Sequence, residues 1–433
     1  MVEESLATTV RTVRERLGDR VATVFEACMR NTLDTTLTEL EDGTAFMVTG
    51  DIPAMWLRDS AAQLTPYLQL AGQVPALSDT IVRVLRRQLA CIEIDPYANA
   101  FNREPDGSGH ATDETELSPW VWERKYEVDS LCYPLVLAYD LWAVTARTDH
   151  LDGTFVRAAR AALEVWRVEQ DHERRSPYRF QRFDGAPSDT LAREGRGALT
   201  EPVGLTWSGF RPSDDAVELG FNIPGNAFAV VACRAVARIA DEVLGDRELA
   251  RDARALGEEI DAAIREHGVV DSGVDGRVLA YEVDGSGSFL LMDDANAPSL
   301  LSLPWIGWCA PDDPLYLATR GLVLSPRNPC YAVGEHAAGI GSPHTPPGWV
   351  WHIALAIQGL TSTDDGERAE VLRMLVTTDA GTDLMHESFD PDDPSRYTRA
   401  WFSWANAMFC ELALDMAGLR RYRRTVGLPE VHP

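Results

Sequence analysis

Amphipathic helical periodicity extends through almost the whole of this 433-residue chain. In about a dozen segments the apolar residues recur every three to four positions, which is the spacing of one buried helix face. The predicted helices are residues 6–17, 21–31, 61–71, 77–92, 126–145, 151–169, 223–244, 247–266, 296–303, 314–322, 349–360, 366–377 and 403–414. This pattern predicts an all-α protein.

The connections between these helices alternate between short turns and long loops rich in Trp, Pro and acidic residues. In a barrel of paired helices, one end carries the tight connections and the other carries the long loops. The alternation therefore predicts a single domain over residues 1–433 with an (α/α)6 barrel fold and long loops at one mouth. A helical solenoid is the alternative, but it requires a repeat signature that this sequence lacks. Gly-rich turns and alternating residues at 269–289 predict one small β-hairpin.

Composition limits the partners that the protein can have. A net charge of −27 argues against nucleic acid and anionic membranes as partners. No stretch reaches the roughly 20 apolar residues of a membrane span, and residues 1–20 lack the apolar core of a signal peptide. We therefore expect a cytoplasmic protein that is a monomer or a weak oligomer. The seven cysteines are scattered without CxxC spacing, which favours buried free thiols over disulfides or zinc ligands.

One loop, residues 49–60, combines acids, an arginine and a tryptophan immediately before a predicted helix; it reads Thr-Gly-Asp-Ile-Pro-Ala-Met-Trp-Leu-Arg-Asp-Ser. Trp56 offers a flat apolar face, Asp59 accepts hydrogen bonds and Arg58 donates up to five. These groups suit a sugar, which has an apolar C–H face and a rim of hydroxyls. The alternative is a structural ion pair between Arg58 and Asp59 beneath a buried Trp56.

Five further loops have the same character. Residues 113–129 hold two tryptophans within a run of charges, and residues 207–226 contain Trp-Ser-Gly-Phe-Arg-Pro-Ser-Asp-Asp. Met-Asp-Asp-Ala-Asn-Ala-Pro follows at 292–298. Residues 339–358 contain Gly-Ser-Pro-His-Thr-Pro and Trp-Val-Trp-His, and residues 386–406 begin with His-Glu-Ser.

Together these motifs resemble glycoside hydrolase family 125, and the resemblance covers about residues 44–406. It implies an exo-acting α-1,6-mannosidase with an (α/α)6 barrel that inverts the anomeric centre and needs no metal or other cofactor. Residues 217–222 are less aromatic than the family pattern, and Trp349 stands where a Tyr or Phe is expected. We expect these departures to alter the preference for the leaving group without removing the catalytic carboxylates.

An inverting glycosidase needs two carboxyl groups, typically about 6.5–9.5 Å apart. One is protonated and donates to the leaving oxygen, while the other is ionised and activates a water on the opposite face. By resemblance, the acid lies in the Arg-Pro-Ser-Asp-Asp motif at 211–215 and the base is Glu387. Like charge disfavours ionisation, so one of Asp214 and Asp215 can stay protonated. The choice between them stays open, with Asp215 preferred.

Each of these carboxylates also has a purely structural interpretation. Asp214 could cap a helix that begins near residue 216, and Glu387 could pair with Arg396 or Arg399. Candidates for stacking on the sugar are Trp56, Trp120, Trp122, Trp351 and Trp401. Candidates for holding its hydroxyls are Arg58, Asp59, Glu127, Asn222, Asn226, His344 and, less favoured, His352. Residues Asp293, Asp294 and Asn296 either line the pocket or cap the next helix.

Other chemistries lack their motifs. The aspartates at 390, 392 and 393 do not have the spacing of a calcium loop, and the sequence has no HExxH or paired-cysteine zinc motif. The remaining alternatives are another (α/α)6-barrel sugar hydrolase of trehalase or glucoamylase type, a phosphorylase-like enzyme, and an inactive carbohydrate-binding protein. A phosphorylase needs a basic phosphate pocket, whereas these loops are acidic. An inactive protein is expected to lose one catalytic carboxylate, whereas both positions are acidic here.

Overall fold

The computed structural model describes residues 2–274 and 276–428. Its helices are α1 (Val2–Leu17), α2 (Asp19–Thr35), α3 (Leu57–Ala62), α4 (Thr65–Ala71), α5 (Pro75–Ile94), α6 (Val128–Thr145), α7 (Gly153–Glu169), α8 (His172–Arg175), α9 (Ala192–Gly195), α10 (Ile223–Ile239), α11 (Arg247–Ala263), α12 (Leu303–Ile306), α13 (Pro314–Val323), α14 (His352–Thr361), α15 (Asp365–Thr377) and α16 (Ser403–Met416). Turns of π-helix at Ala240–Leu244 and Ile264–Gly268 extend α10 and α11.

Fifteen short strands in the described residues form six small antiparallel sheets. They are β1 (Leu37–Glu39), β2 (Ala45–Met47), β3 (Met55–Trp56), β4 (Ala100–Phe101), β5 (Val121–Glu123), β6 (Phe221–Asn222), β7 (Val269–Asp271), β8 (Arg277–Leu279), β9 (Glu282–Val283), β10 (Phe289–Leu290), β11 (Tyr331–Val333), β12 (Ala338–Ile340), β13 (Val350–Trp351), β14 (Ser388–Phe389) and β15 (Tyr397–Thr398). The sheets pair β1 with β2, β7 with β8 and β11 with β12, and they order the others as β3-β4-β5, β10-β9-β6 and β13-β14-β15.

The helices form two concentric rings. In the inner ring, α3 and α4 contact α6, which contacts α10, and the ring continues through α12, α14 and α16 back to α3 and α4. Nearly every residue of α6, α10 and α16 is buried, whereas outer helices such as α11 bury a single face. The chain alternates between the outer helices α2, α5, α7, α11, α13 and α15 and the inner ones. The predicted (α/α)6 barrel is confirmed.

Inner helices begin at one end of the barrel, which we call the mouth. The strands β3, β6 and β13 lead directly into α3, α10 and α14. Local sequence explains one of these starts, because the Asn222 side chain accepts the Gly225 N–H at 2.8 Å and Pro224 occupies the first turn. The long acidic loops therefore precede inner helices, and their side chains converge on the mouth.

The structure corrects the predicted helix at residues 296–303. There the Asp293 carboxylate accepts the N–H groups of Leu300 and Leu301 at 2.8 and 2.9 Å, so these amides do not enter a helical ladder. Only Leu303–Ile306 is helical. The predicted single hairpin within 269–289 is likewise replaced by β7–β8 and the separate β9–β10 pair.

All seven cysteines are free thiols and six of them are buried, as the sequence predicts. No helix in the described part of the chain combines the length and the apolar character that crossing a bilayer requires.

Candidate active site

A small pocket opens at the mouth of the barrel, and residues from five of the six predicted loops line it. Its lining consists of Thr49, Ile52, Trp56, Arg58, Asp59, Pro212, Ser213, Asp214, Asn296, His344, Trp351, Glu387, Arg399, Phe402 and Trp404. The sixth loop, residues 113–129, reaches the pocket from behind, because Glu127 and Asp129 both contact Arg58. Motifs that are far apart in sequence thus share one site.

The Arg58 guanidinium lies among four carboxylates. Its Nη1 is 2.6 Å from Glu127 and 3.5 Å from Asp129, its Nη2 is 3.4 Å from Asp214, and its Nε is 3.3 Å from Asp59. Although burial lowers the pKa of Arg58, these acids raise it well above its usual value. The single positive charge of Arg58 therefore compensates part of the negative charge of four buried carboxylates.

This imbalance changes the protonation of the acids. Burial raises the pKa of Asp59 and of Asp129 to about 6, against the opposing effect of Arg58. Burial also raises the pKa of Glu127 well above its usual value. Asp214 differs, because Arg58 and Lys125 outweigh its burial and lower its pKa. The site therefore holds carboxyl groups whose pKa values are shifted in opposite directions, upward for Asp59, Glu127 and Asp129 and downward for Asp214.

Asp214 has an unusual backbone conformation, with φ of 69°. Few residues other than glycine adopt this left-handed region, and aspartate is among those that tolerate it. The buried Lys125 ammonium donates to the Asp214 carbonyl at 2.8 Å, and the Asp214 N–H donates to the carbonyl of Arg211 at 2.9 Å. Held in this way, the Asp214 side chain is 24% exposed and lines the pocket.

Asp215, the next residue, faces a different environment. Its side chain is only 2% exposed, and its Oδ1 lies 3.4 Å from Nδ1 of His344. Although burial lowers the pKa of His344, contacts with Asp215, Asp214 and Glu387 raise it to about 9. An imidazolium therefore stands between the two candidate acids and Glu387 at neutral pH.

Glu387 lines the pocket with a side chain that is 13% exposed. Its Oε1 is 3.6 Å from Nη1 of Arg399, which is an ion-pair contact but too long for a hydrogen bond. Arg399 is itself held by Asp51 at 2.8 Å and by the Thr49 carbonyl at 2.9 Å. The predicted pairing with Arg399 is present and leaves Glu387 able to accept a hydrogen bond from water.

Four polar atoms of the pocket, outside its ion pairs, remain available for a ligand. Thr49 Oγ1, Trp56 Nε1, Asn296 Oδ1 and Trp404 Nε1 are buried and have no hydrogen-bond partner among the described residues. Buried polar atoms are normally satisfied, so unpaired groups in a pocket indicate a polar ligand. Two indole rings with free N–H groups suit a sugar, since each offers both an apolar face and a donor.

A second, larger cavity of about 600 Å³ adjoins this pocket. Apolar side chains dominate its walls, including Leu290, Met292, Cys330, Trp349 and several prolines. The two spaces share their walls, because Ser213 and Asp214 face the pocket while Arg211 and Asp215 face the cavity. His344 faces the pocket, and the preceding Ser342 and Pro343 face the cavity.

Residues 18–414 match the family model of the metal-independent α-mannosidases, glycoside hydrolase family 125. The chain belongs to this family. It is an α-mannosidase by this membership, as the sequence motifs predict. No cluster of three or more His, Cys, Asp or Glu residues suited to a metal ion occurs within residues 2–274 and 276–428.

Similar proteins agree with this assignment. A metal-independent α-mannosidase of Streptococcus pneumoniae, solved in a non-productive complex with α-1,6-mannobiose, is 47% identical, with a TM-score of 0.94 over 97% of this chain and 98% of that one. The meiotically up-regulated gene 157 protein of Schizosaccharomyces pombe is 39% identical over 95% of this chain and 86% of its own length. A bacterial glucoamylase complexed with acarbose shares the fold alone, at 13% identity and a TM-score of 0.62 over 94% of this chain and 56% of that one.

Several residues predicted to bind substrate in this family 125 protein have structural partners instead. Asn226 is fully buried and exchanges hydrogen bonds with the Thr206 backbone at 2.8 and 2.9 Å, while Asn222 caps α10. Asp294 is buried behind the pocket and accepts from Ser213 at 2.6 Å. His352 bonds the backbone of His386, and burial lowers the pKa of His352 to about 3.

The predicted aromatic residues divide in the same way. Trp56 and Trp351 line the pocket, whereas Trp120, Trp122 and Trp401 are absent from its lining. Trp120 stacks instead with the guanidinium of Arg87, 5.2 Å from the ring centroid. Sequence reasoning missed Trp404, whose ring lies 5.5 Å from the Arg58 guanidinium. Its place in the first turn of α16 is the signal that could have identified it, since Arg58 occupies the same place in α3.

Proposed function

We propose that this α-mannosidase is exo-acting, inverts the anomeric centre and releases terminal mannose from α-1,6-linked mannosides. The observation that carries the proposal is that Asp214 and Glu387 line one small pocket whose remaining walls are Trp, Arg, Asp and His side chains. This is the pair of carboxyl groups that inversion requires. The complex of the pneumococcal relative with α-1,6-mannobiose supports the linkage. We expect residues 1–433 to act as one catalytic unit.

In this proposal Asp214 is the general acid. Its side chain enters the pocket that holds Glu387, whereas Asp215, which the sequence favoured, is 2% exposed and contacts His344. A proton donor must reach the glycosidic oxygen, and the more accessible Asp214 meets this requirement better. Asp215 then keeps His344 charged and in place.

Glu387 is the general base. Its Oε1 lies 3.6 Å from Arg399, too far for a hydrogen bond, so the carboxylate is free to accept a proton from water. Water attacks the anomeric carbon as the bond to the leaving oxygen breaks, and Asp214 gives its proton to that oxygen. Arg58 and Asp59, at the N-terminus of α3, bind mannose hydroxyls, while Trp56, Trp351 and Trp404 contact its apolar face.

The leaving group occupies the adjoining cavity. The glycosidic oxygen must lie between the mannose and the leaving group, beside the acid. The loop at 211–216 borders the pocket on one side and the cavity on the other, so it separates these two places. Trp349, which departs from the family pattern, lies in the cavity wall and is placed to influence which leaving group binds.

A direct test compares the α-1,6, α-1,3 and α-1,2 isomers of mannobiose in one NMR time course. The expected result is fastest release of mannose from the α-1,6 isomer, with β-mannose as the first anomer. An initial α-anomer would overturn inversion, and equal rates would overturn the linkage preference. A longer α-1,6 oligomannoside must yield single mannose units from the start, because early internal fragments would contradict exo action.

The acid assignment is tested by Asp214→Asn and Asp215→Asn on α-1,6-mannobiose and on an activated aryl mannoside. A good leaving group needs little proton donation. The true acid variant therefore loses much more activity on the disaccharide than on the aryl substrate, while the other variant loses similar factors on both. The leaving-group signature on Asp215 instead would reverse the assignment.

A further inference from the structure

Glu127 shares the Arg58 guanidinium with Asp214 and has no exposed side-chain surface. Its Oε2 accepts from Nη1 of Arg58 at 2.6 Å and from the Ser130 hydroxyl at 2.7 Å. Its Oε1 is 3.4 Å from the Asn99 amide nitrogen. The same guanidinium reaches Asp214 through Nη2 at 3.4 Å, and the interaction between the two carboxyl groups raises the pKa of Glu127 and lowers that of Asp214. Two carboxyl groups can share a hydrogen bond only if one of them carries a proton.

Charge balance around the pair also requires a proton. Arg58 lies within 3.5 Å of four carboxylates, and Lys125, which donates to the Asp214 carbonyl, is shared with Asp189 at 2.8 Å and Glu123 at 3.8 Å. The charged and titratable groups that face the pair are Arg58, Asp59, Lys125, Asp129 and His344, the last of which is paired with Asp215. Burial most strongly penalises the charge of the fully buried member, which is Glu127.

We propose that Glu127 stores the proton that Asp214 delivers to the glycosidic oxygen. This role rests on the proposed function, in which Asp214 is the acid. In the resting enzyme the Glu127 carboxyl group donates a hydrogen bond to the Asp214 carboxylate. As the bond from the anomeric carbon to the leaving oxygen breaks, the proton passes from Glu127 to Asp214 and an equivalent proton passes from Asp214 to that oxygen. Glu387 takes one proton from the attacking water, and solvent returns a proton to the pair.

The arrangement resolves a conflict in the site. Arg58 and Lys125 favour ionised Asp214, which is unsuitable for an acid at neutral pH. A protonated partner held on the same guanidinium supplies what Asp214 alone would lack. After transfer, Arg58 and the Ser130 hydroxyl stabilise the Glu127 carboxylate, since both already donate to it. Glu127 therefore acts through Asp214 and does not touch the substrate.

The test is Glu127→Gln, assayed on α-1,6-mannobiose and on 2,4-dinitrophenyl α-mannoside across pH. Glutamine can donate to Asp214 and accept from Arg58 in the same place, but it has no proton to give. We expect kcat/KM on the disaccharide to fall by about 10²-fold or more. The loss on the aryl substrate should stay within about 3-fold, since its departure needs little acid catalysis. The alkaline limb of the disaccharide pH profile should move to lower pH.

Asp129→Asn is the matched control, because it also removes a carboxylate from Arg58, at 3.5 Å, on the same helix start. It should affect both substrates by similar factors and leave the alkaline limb in place. The proposal is overturned if Glu127→Gln behaves in this way too, since Glu127 would then only hold Arg58. Wild-type inactivity on the disaccharide would instead refute the proposed function.

Infrared difference spectroscopy provides a readout that does not depend on turnover. At neutral pH, the carbonyl band of a protonated carboxyl group should appear in the wild-type minus Glu127→Gln difference spectrum, because the variant lacks it, and should cancel in the wild-type minus Asp129→Asn spectrum. Should Glu127→Gln fail to fold, Glu127→Asp keeps a carboxyl group, and retention of the band at neutral pH is the expected result. Absence of the band from wild type would refute proton storage.

Discussion

Both ends of the barrel bury clusters of charged side chains, but the two clusters are built in opposite ways. At the mouth, Arg58 faces four carboxylates. At the far end, beyond the C-termini of α6 and α16, the segment 419–424 inserts arginines among acids. Arg424 lies 2.7 Å from Asp140, and Arg420 lies 2.7 Å from Glu411. Asp415 is contacted by Arg368, Arg420 and Arg423.

Burial alone does not distinguish the two clusters, since both exclude water. The distinction is the ratio of cations to carboxylates. At the far end each acid has at least one arginine, so its charge is compensated and the cluster links the C-terminal segment to the inner helices. At the mouth the acids exceed the cations, so protons must complete the balance. We infer that buried charge with matched partners is structural here, and that unmatched charge marks the catalytic site.

The largest expected effect is that of Glu387→Gln at the mouth. Removing the proposed base while keeping its shape should lower kcat by roughly 10²–10⁴-fold, with little change in KM or in the melting temperature. Steady-state kinetics and thermal unfolding on the same preparation provide the measurement. If the variant had a much lower melting temperature but an unchanged kcat, Glu387 would have a structural role and not a catalytic one.

At the far end, Asp140→Asn should have the converse effect. It leaves the buried Arg424 without its carboxylate and weakens the Tyr422 hydrogen bond of 2.7 Å. Breaking a buried pair in this way costs about 3–5 kcal/mol. Denaturant unfolding should report that loss, while kcat/KM per folded molecule should match wild type. Unchanged stability would contradict the structural reading of the far cluster.

At the mouth, Asp59→Asn should increase the stability of the protein while lowering its activity. The pKa of Asp59 is raised from 3.8 to about 6 by burial, so ionisation at pH 8 costs on the order of 3 kcal/mol. Because the folded-state pKa is the higher one, this cost appears as pH rises from about 4 through 6. Asparagine avoids the cost, so the free energy of unfolding at pH 8 should increase. Loss of a charged contact to mannose should lower kcat/KM by roughly 10–100-fold.

The comparison to make is unfolding of both proteins at pH 4 and pH 8. The advantage of Asp59→Asn should be present at pH 8 and nearly absent at pH 4. An equal difference at both values would mean that Asp59 titrates normally in the folded state.

The smallest expected effect concerns His344. Its pKa of about 9 lies above the usual 6.5, so its contribution to stability is fully present below pH 6.5 and is lost as pH rises through 9. An NMR titration of the ring should show this midpoint, and Asp215→Asn should move it toward 6.5. If the midpoint did not change in Asp215→Asn, Asp215 would not be responsible for the raised pKa of His344.

The fold could be predicted from the sequence because the barrel depends on periodicity, and periodicity is local. The failures occurred where a distant partner decides the structure. Residues 296–303 have a helical pattern, but the Asp293 carboxylate captures the amides of Leu300 and Leu301. In the same way, α3 begins at Leu57 rather than at residue 61, and its first turn contacts other loops: the Leu57 N–H donates to the Asn99 carbonyl at 3.0 Å, and Arg58 contacts Glu127.

The site was predictable to the level of loops and less so to the level of side chains. Trp56, Arg58 and Asp59 could be proposed because their residue types suit a sugar, whereas Glu387 was proposed through the family resemblance. Asn226 has the same polarity, yet Thr206, from another part of the loop, uses its amide completely. Asp214 and Asp215 are the same residue type but differ in exposure, 24% against 2%, and Asp214 alone of the two has a positive φ. The identity of the residues does not predict this difference.

The positive φ of Asp214 also limits which residues can replace it without backbone strain. With φ of 69°, the site accepts asparagine, aspartate or glycine without strain, while most other side chains, alanine included, meet a conformational penalty of about 1–2 kcal/mol. Asparagine and glycine are both single-base neighbours of aspartate. A single-base change at position 214 can therefore remove the proposed acid without destabilising the barrel. We expect inactive, carbohydrate-binding descendants of this protein to carry Asn or Gly at this position. In a mutational library, alanine at 214 would mix a folding defect with a catalytic one, whereas asparagine would isolate the chemistry.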